Sequence, residues 1–255
     1  MSPPRRWRDL RSFTDARVGL GRAGNGLPTT AHLDFQEAHA VARDAVFSAL
    51  DVSALQAVLP GSIVVRSQAP DRRTYLLRPD LGRRLADAAP LALHAGAWDI
   101  AFVVADGLCA TGVQRHAPEV LSRVVPRLAA AGLAVAPVVI ATQARVALGD
   151  PVGEALGARA VAVLIGERPG LSALDSMGIY LTWAPAPGRN DAERNCISNI
   201  RPRGLSYDDA AAKLLWLIGA MRTLGATGVA LKDEMPEAAR LAGPAAPAPG
   251  QPALP

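Results

Sequence analysis

A regular alternation of apolar runs and helical patterns constrains the fold of this chain more than any other feature. Three mostly apolar segments of strand length lie at Asp99–Ala105, Leu133–Ala141 and Ala160–Ile165. Apolar runs of this kind are typical of strands that are buried on both faces. Helical patterns at Pro118–Ala131 and Pro151–Leu156 separate them. Because strands that alternate with helices form parallel sheets, the sequence predicts an α/β fold.

The predicted architecture is a Rossmann-like parallel sheet flanked by helices, occupying residues 96–235. Its longest helix is predicted at Ser206–Leu224, with Ser206 as the N-cap and acidic residues in the first turn, where the helix dipole favours them. A last short strand is predicted at Gly228–Leu231. Residues 236–255 are almost all Ala, Pro and Gly and are predicted to be a disordered tail.

Residues 1–95 are predicted to form an N-terminal arm, a helix and a small hairpin region that pack on a partner subunit. Glycines punctuate the arm from Asp9 to Ala31, and a helical pattern continues to Leu50. Short strands are predicted at Ser62–Ser67 and Thr74–Leu77, and Pro79 opens a further helix. The arm has little apolar content with which to build a core of its own, so we expect it to lie on another surface.

Composition excludes several classes of protein. The net charge is +4, and all but two of the cationic residues are arginines scattered along the chain, whereas only 4% of the residues are aromatic. A nucleic-acid-binding protein more often combines a basic patch with stacking aromatic residues.

Two cysteines provide neither a disulfide framework nor a zinc site. The start of the chain lacks the apolar core of a signal peptide, and no apolar run reaches bilayer length, so a cytoplasmic protein is predicted.

The segment Gly19–Gly24 has the spelling of a dinucleotide-binding glycine motif, G-x-G-x-x-G. That motif requires a buried strand before it and a helix after it. The residues before Gly19 are few and polar, and Pro28 and two threonines follow. These surroundings favour a glycine-rich interface arm and disfavour a nucleotide-binding oxidoreductase.

Polar residues follow two of the predicted strands, where open α/β sheets hold their ligands. Asp106–Gly107 ends the first strand, and this pair is equally consistent with a structural turn and with a ligand contact. Glu167 and Arg168 end the third strand, and Pro169–Gly170 fixes the turn behind them. The carboxylate of Glu167 could accept hydrogen bonds from amide groups of a ligand, which favours a binding role.

Cys196 lies in a polar stretch, Gly188–Pro202, and is the second candidate site residue. A nucleophilic cysteine is commonly activated by a histidine base. The four histidines, His32, His39, His94 and His116, lie far upstream and form no motif. We therefore interpret Cys196 as a small residue beside a ligand, and we assign no catalytic residue and no metal ligand to this chain.

Six blocks of sequence, in one order between Thr14 and Asp233, resemble the small subunit (light chain) of ethanolamine ammonia-lyase. They cover most of the chain, so the resemblance does not depend on any single motif. The blocks are Gly21–Thr29, Ala42–Val46, Tyr75–Leu85, Val104–Leu108, Gly166–Leu171 and Arg194–Pro202.

The resemblance implies a lyase subunit that binds adenosylcobalamin together with a large barrel subunit, in a hetero-oligomer that converts ethanolamine to acetaldehyde and ammonia. The family's cobalamin contacts fall on Val146, Glu167 and Cys196. No D-x-H-x-x-G motif is present, so no histidine of such a motif ligates the cobalt. Only Met1–Arg8 precede the matching region, which argues against a location in a bacterial microcompartment. The alternative is a non-catalytic α/β module that stabilises a partner subunit without contacting a cofactor.

Overall fold

A six-stranded mixed sheet forms the centre of the chain. The computed structural model describes residue 10, residues 12–14 and residues 16–236. The strand order is β1-β3-β2-β4-β5-β6; the first four strands of this order are parallel, whereas β5 pairs antiparallel with both of its neighbours. The strands are β1 Ile63–Arg66, β2 Ala101–Ala105, β3 Val139–Thr142, β4 Ala160–Gly166, β5 Met177–Trp183 and β6 Arg194–Ile200. The predicted α/β class is confirmed, and the sheet is mixed where a wholly parallel one was predicted.

Helices cover both faces of the sheet. They are α1 Thr29–Phe47, α2 Val52–Val58, α3 Arg72–Leu77, α4 Ala89–Ala92, α5 Ala110–Ala130, α6 Gly149–Leu156 and α7 Tyr207–Leu224. Short 3-10 turns lie at Leu81–Arg83, Val146–Leu148, Asp191–Glu193 and Gly228–Ala230. Of the helices in the described residues, none has the length and apolar character needed to cross a membrane.

The core consists of two apolar layers, one on each side of the sheet. Phe102 and Val104 of β2 belong to the layer that also contains residues of α5 and α7. Val103 belongs to the opposite layer, which contains residues of α4 and α6. Every residue of β2 and β4 is buried, because helices pack on both faces of these two strands.

The longest helices follow their sequence signals. The side-chain oxygen of Ser206 accepts a hydrogen bond from the Asp209 N–H at 3.1 Å, so Ser206 is the N-cap of α7 as predicted. Helix α1 confirms the predicted N-terminal helix, although none of its residues is buried. Helix α5 begins eight residues before the predicted Pro118, which lies inside the helix.

The predicted hairpin is wrong, because Thr74–Leu77 belongs to helix α3 and β1 pairs with β3. The carboxylate of Asp71 accepts a hydrogen bond from the Thr74 N–H at 2.7 Å and caps this helix. A four-residue apolar run fits either a strand or a short helix, and this cap decides between them. The predicted strand at Gly228–Leu231 is also wrong, since Gly228–Ala230 is a 3-10 turn. The predicted tail lies outside the described residues, except for residue 236.

Strands β5 and β6 are additions to the predicted sheet. Strand β6 contains arginine, asparagine and serine, and its buried positions are Arg194, Ile197 and Ile200. The pairing register with β5 shifts between Met177 and Ile179, and Asn199 adopts a φ of 59° there. This β-bulge interrupts the two-residue alternation that marks a strand in a sequence. It also directs a backbone N–H group toward the site described below.

Candidate functional site

The parallel strands β2, β3 and β4 end at one edge of the sheet, and the Asp106 carboxylate joins two of the loops there. Asp106 is 2% exposed. Its carboxylate accepts hydrogen bonds from the N–H groups of Gln143 and Ala144 at 2.8 and 2.9 Å, and it lies 3.5 Å from a guanidinium nitrogen of Arg72. Burial raises the pKa of the Asp106 carboxyl, and the two N–H donors and Arg72 oppose that shift. Of the two roles considered for Asp106, these contacts favour the structural one.

Glu167 extends from the end of β4 over the last residues of β6. Its side-chain oxygens accept hydrogen bonds from the Asn199 N–H at 3.3 and 3.2 Å. The positive φ of Asn199 directs this N–H out of the strand ladder, and asparagine tolerates that conformation better than most residues. A Cβ atom added at Gly178 would lie 3.0 Å from Glu167 Oε1, so the glycine gives the carboxylate its room. Glu167 therefore has a defined position at the edge of the sheet.

Cys196 lies in the middle of β6, opposite Tyr180 of β5. Tyr180 in turn pairs with Val163, so Tyr180 and Cys196 lie on the face of the sheet that α6 covers in part. Cys196 is exposed as a residue. Local burial raises the pKa of its thiol, Glu167 raises it further, and a hydrogen bond with Tyr180 lowers it. A thiol with a raised pKa forms less thiolate at neutral pH, and the thiolate is the nucleophilic form.

The contacts of His116 give no indication that it acts as a base for Cys196. This side chain is fully buried, with one ring nitrogen 2.8 Å from the Tyr207 hydroxyl and the other 2.8 Å from the Asp175 carbonyl oxygen. Both nitrogens are therefore engaged between α5, α7 and the loop before β5. Among the described residues, no group of three or more His, Cys, Asp or Glu side chains is placed to hold a metal ion.

Val146 begins the 3-10 turn that leads directly into α6. The backbone before it is fixed by the Arg145 N–H, which donates to the Gly82 carbonyl oxygen at 2.8 Å. The Val146 side chain is partly buried against the apolar layer that contains Val163 and Ile165, and Tyr180 packs against the same layer. Val146 and Cys196 are thus both on the α6 side of the sheet, and Glu167 lies at its edge.

The α6 side of strands β5 and β6 is exposed in part. Helix α6 packs on β4, and the neighbouring strands carry a half-buried Tyr180 and the exposed residues Cys196 and Ser198. We call Tyr180, Cys196 and Ser198, together with Glu167 at the edge, the open face. It offers a carboxylate, two hydroxyls and a thiol.

A cleft of about 580 Å³ is lined by residues of α6 and of the segment before β6. Its lining includes Ala147, which follows Val146, and also Asp150 and Arg189, whereas Glu167 and Cys196 lie outside it. The open face, which contains two of the three predicted contact residues, is therefore distinct from this cleft.

Sequence reasoning missed a buried ion pair between α6 and β6. Asp150 and Arg194 join these two elements and have side chains that are 2% and 1% exposed. Tyr180 and Asn199 were also missed, although each contacts a predicted site residue. No local signal marks Arg194 for burial, because its carboxylate partner lies 44 residues away in the sequence.

The fold and the site define an α/β protein with a candidate ligand surface at the carboxyl edge and on one face of its sheet. A family model described as ethanolamine ammonia-lyase light chain (EutC) matches residues 4–232. The chain belongs to this family, and the family predicted from the six sequence blocks is confirmed. It is thus a member of a family of lyase subunits.

Individual relatives agree with the family model. A protein of Xanthomonas campestris pv. campestris, named ethanolamine ammonia-lyase small subunit, is 54% identical over 244 residues, which cover 91% of this chain and 90% of the relative. A protein of the same name from Bradyrhizobium diazoefficiens is 55% identical over 240 residues, covering 91% and 92%. One from Azotobacter vinelandii is 53% identical over 247 residues, covering 93% and 91%.

Proposed function

We propose that this chain is the small subunit of an adenosylcobalamin-dependent ethanolamine ammonia-lyase that converts ethanolamine to acetaldehyde and ammonia in the cytoplasm. In this proposal the open face and Val146 form one wall of the cobalamin cavity, and a large barrel subunit forms the other wall. The observation that carries the proposal is the position of Glu167, a fixed carboxylate at the sheet edge beside an exposed strand surface. Membership of the ethanolamine ammonia-lyase light-chain family supports the proposed reaction.

The residues of the open face fit the chemistry of a corrin. Its rim bears neutral amide side chains that donate and accept hydrogen bonds. Glu167 offers carboxylate oxygens as acceptors, and the exposed Ser198 hydroxyl can donate or accept. Cys196 is small enough to let a flat ring system approach β6. The carboxylate can form charge-assisted hydrogen bonds, which are stronger than those between neutral groups.

When bound, adenosylcobalamin supplies radical chemistry through cleavage of its cobalt–carbon bond, and the protein supplies binding and orientation. Glu167 would hold the cofactor at the sheet edge, and the strand surface around Cys196 would exclude water from it. Val146 would complete the wall where the chain enters α6. We assign the groups that act on ethanolamine to the large subunit, because the open face provides no acid–base pair.

The alternative is a non-catalytic α/β module that stabilises a large subunit without contacting a cofactor. The two proposals are separated by co-expression with the large subunit, addition of adenosylcobalamin and measurement of the visible spectrum of the purified complex. A bound cobalamin spectrum that depends on this chain supports the cofactor wall. A large subunit that binds cobalamin equally well alone supports the alternative.

We expect Glu167→Ala to weaken cobalamin binding by about tenfold or more. A charge-assisted hydrogen bond contributes roughly 1.5–3 kcal/mol, and each 1.4 kcal/mol is a factor of ten in the dissociation constant. Equilibrium dialysis of adenosylcobalamin against the purified complex measures this effect. Folding should survive, because Glu167 is a half-buried edge residue outside both apolar layers.

Glu119→Ala is the matched control for this variant. Glu119 is a glutamate on α5, where it pairs with Arg123, and α5 packs on the other face of the sheet. Its removal should leave cobalamin affinity unchanged. The assignment of Glu167 fails if its variant assembles normally and binds cobalamin as tightly as the Glu119 variant does.

We also expect the glycine-rich arm to bind the large subunit. Its described residues between Thr14 and Thr30 are exposed or half-buried, and Leu27 is 52% exposed. Arg17 connects the arm to the loop after Glu167, with guanidinium nitrogens 3.4 Å from the Leu171 carbonyl oxygen.

Deleting residues 14–30 should abolish co-purification with the large subunit while thermal unfolding of the chain stays cooperative, because none of the described residues in this segment belongs to either apolar layer. Pull-down with a tagged large subunit and circular dichroism measure the two quantities. Unchanged assembly after the deletion would refute the predicted role of the arm.

A further inference from the structure

A buried ion pair connects the two segments that carry Val146 and Cys196. Asp150 lies in the first turn of α6, four residues after Val146, and Arg194 begins β6, two residues before Cys196. The two guanidinium Nη atoms each donate to one carboxylate oxygen, both at 2.7 Å. This two-point contact fixes the orientation of the groups as well as their separation.

Further contacts hold the Arg194 guanidinium across the sheet. One Nη atom also donates to the Thr182 hydroxyl on β5 at 2.8 Å, and the other donates to the Arg189 carbonyl oxygen at 3.1 Å. Burial disfavours the charged guanidinium, but the hydrogen bonds and charge of Asp150 outweigh it, and the pKa of Arg194 is raised. A single side chain therefore joins β6, β5 and α6.

The start of α6 packs closely on the sheet. We therefore expect a displacement of this helix to shift Val146, which lies just before it. A Cβ atom at Gly149 would lie 2.4 Å from a methyl group of Val163, and one at Gly153 would lie 2.4 Å from Pro185. The turn Val146–Leu148 continues into this helix without an intervening loop. The position of Val146 is thus coupled to the anchor at Asp150.

Stability alone gives little reason for such a pair. Replacing a buried ion pair by apolar residues of similar volume is often neutral or stabilising, because the charges must be desolvated. What the pair provides instead is a fixed relation between α6 and the edge strand β6. Strand β6 and the 3-10 turn that leads into α6 carry the two residues proposed to contact the cofactor on the face of the sheet.

We propose that the Asp150–Arg194 ion pair is the positioning device that sets the spacing between the Val146 turn and the Cys196 strand, and through it the affinity for cobalamin. The inference rests on the proposed function. Neither residue needs to touch the cofactor, and both act through the elements they join.

Arg194→Lys tests the proposal most directly. Lysine keeps the buried positive charge near Asp150 but loses the two-point geometry of the guanidinium. We expect the assembled complex to bind adenosylcobalamin about 10- to 100-fold more weakly in equilibrium dialysis, the loss seen when groups that orient metal ligands are removed. The rate at saturating adenosylcobalamin should stay within about twofold, since positioning affects uniform binding. Hydrogen exchange at residues 146–148 and 196–199 should accelerate.

Asp150→Leu combined with Arg194→Met is the second variant, because it removes both charges and does not depend on lysine fitting the site. It should fold and assemble, and it should show the same loss of affinity. Arg123→Lys is the control, since Arg123 pairs with Glu119 and Asp208 on the opposite side of the sheet. Its affinity should remain that of the wild type.

The outcomes separate this inference from the proposed function. If the wild-type complex binds no adenosylcobalamin, the proposed function fails. If the wild type binds it and both variants bind equally well, the positioning role is overturned while the function stands. An affinity that falls only in proportion to the fraction of chain still assembled would also overturn it, because that is the effect of a purely structural pair.

Discussion

Gly166→Ala is expected to destabilise this protein by more than about 4 kcal/mol, a loss that only the most disruptive single substitutions cause. Gly166 ends β4, immediately before Glu167. A Cβ atom there would lie 1.9 Å from the Cys109 carbonyl oxygen and 2.7 Å from the Asp106 carbonyl oxygen. Both obstacles are backbone atoms, so no side-chain movement can relieve the clash. The loop after β2 would have to move away from β4.

The same movement would break the edge of the sheet that holds Glu167. The Leu108 N–H donates to the Gly166 carbonyl oxygen at 2.9 Å, and a Cβ atom at Gly107 would lie 2.3 Å from that oxygen. Denaturant unfolding of the full chain measures the loss of stability. A severe loss of folded protein on expression, restored by expression at low temperature, would also indicate this loss of stability.

Gly219→Ala provides the matched control. Gly219 lies inside α7, and a Cβ atom there meets nothing within 4 Å. Alanine favours helix over glycine by about 1 kcal/mol, so this variant should be neutral or more stable. Comparable stability of the two alanine variants would show that the contact between the β2 loop and β4 is looser than described.

The sequence predicts the centre of this fold better than its edge. Strands β2 and β4 are buried on both faces, and the apolar runs at Asp99–Ala105 and Ala160–Ile165 record that burial directly. Strand β6 faces a core on one side only, and a bulge at Asn199 interrupts its alternation. Its pattern therefore resembles a polar loop.

Burial of polar side chains is the second reason that β6 was missed. Arg194 is buried because Asp150 compensates its charge. The Asn195 side chain accepts a hydrogen bond from the Gly228 N–H at 2.8 Å and donates one to the Leu231 carbonyl oxygen at 2.8 Å. These partners are distant in the sequence, so their pairing follows from the tertiary fold and not from local pattern. Without the partners, both residues predict an exposed segment.

The candidate site also has a part that the sequence predicts and a part that it does not. Glu167 was predicted from its position after a buried strand, which is a topological rule and needs no side-chain detail. Its partner, the Asn199 N–H, depends on the register between β5 and β6. The contact roles of Val146, Glu167 and Cys196 stay predictions, and the dialysis experiments above address Glu167 directly.

Asp150→Ala is expected to cost about 3–5 kcal/mol of folding stability, because it leaves the Arg194 guanidinium buried without its carboxylate. Thr182 and the Arg189 carbonyl remain as neutral acceptors, and Asp191, 3.6 Å from Arg194 Nε, has a side chain that is 92% exposed and compensates the charge only weakly. Asp208→Ala is the matched control, because Asp208 also lies in the first turn of a helix and pairs with an arginine at 2.7 Å, but its side chain is 83% exposed. An exposed pair of this kind contributes roughly 0.2–1 kcal/mol.

The stability lost in Asp150→Ala could come from the uncompensated buried charge or from the lost contact between α6 and β6. Denaturant unfolding of the two alanine variants and of the Asp150→Leu/Arg194→Met double variant distinguishes these causes. The double variant removes the buried charge together with its partner, so it should recover most of the stability that Asp150→Ala loses. Equal stability of the Asp150 and Asp208 variants would mean that Arg194 reaches solvent or another carboxylate, with Asp191, 3.6 Å from Arg194 Nε, as the nearest available acceptor. In that case the link between α6 and β6 would be weaker than its geometry indicates, and the positioning role of the pair would fail with it.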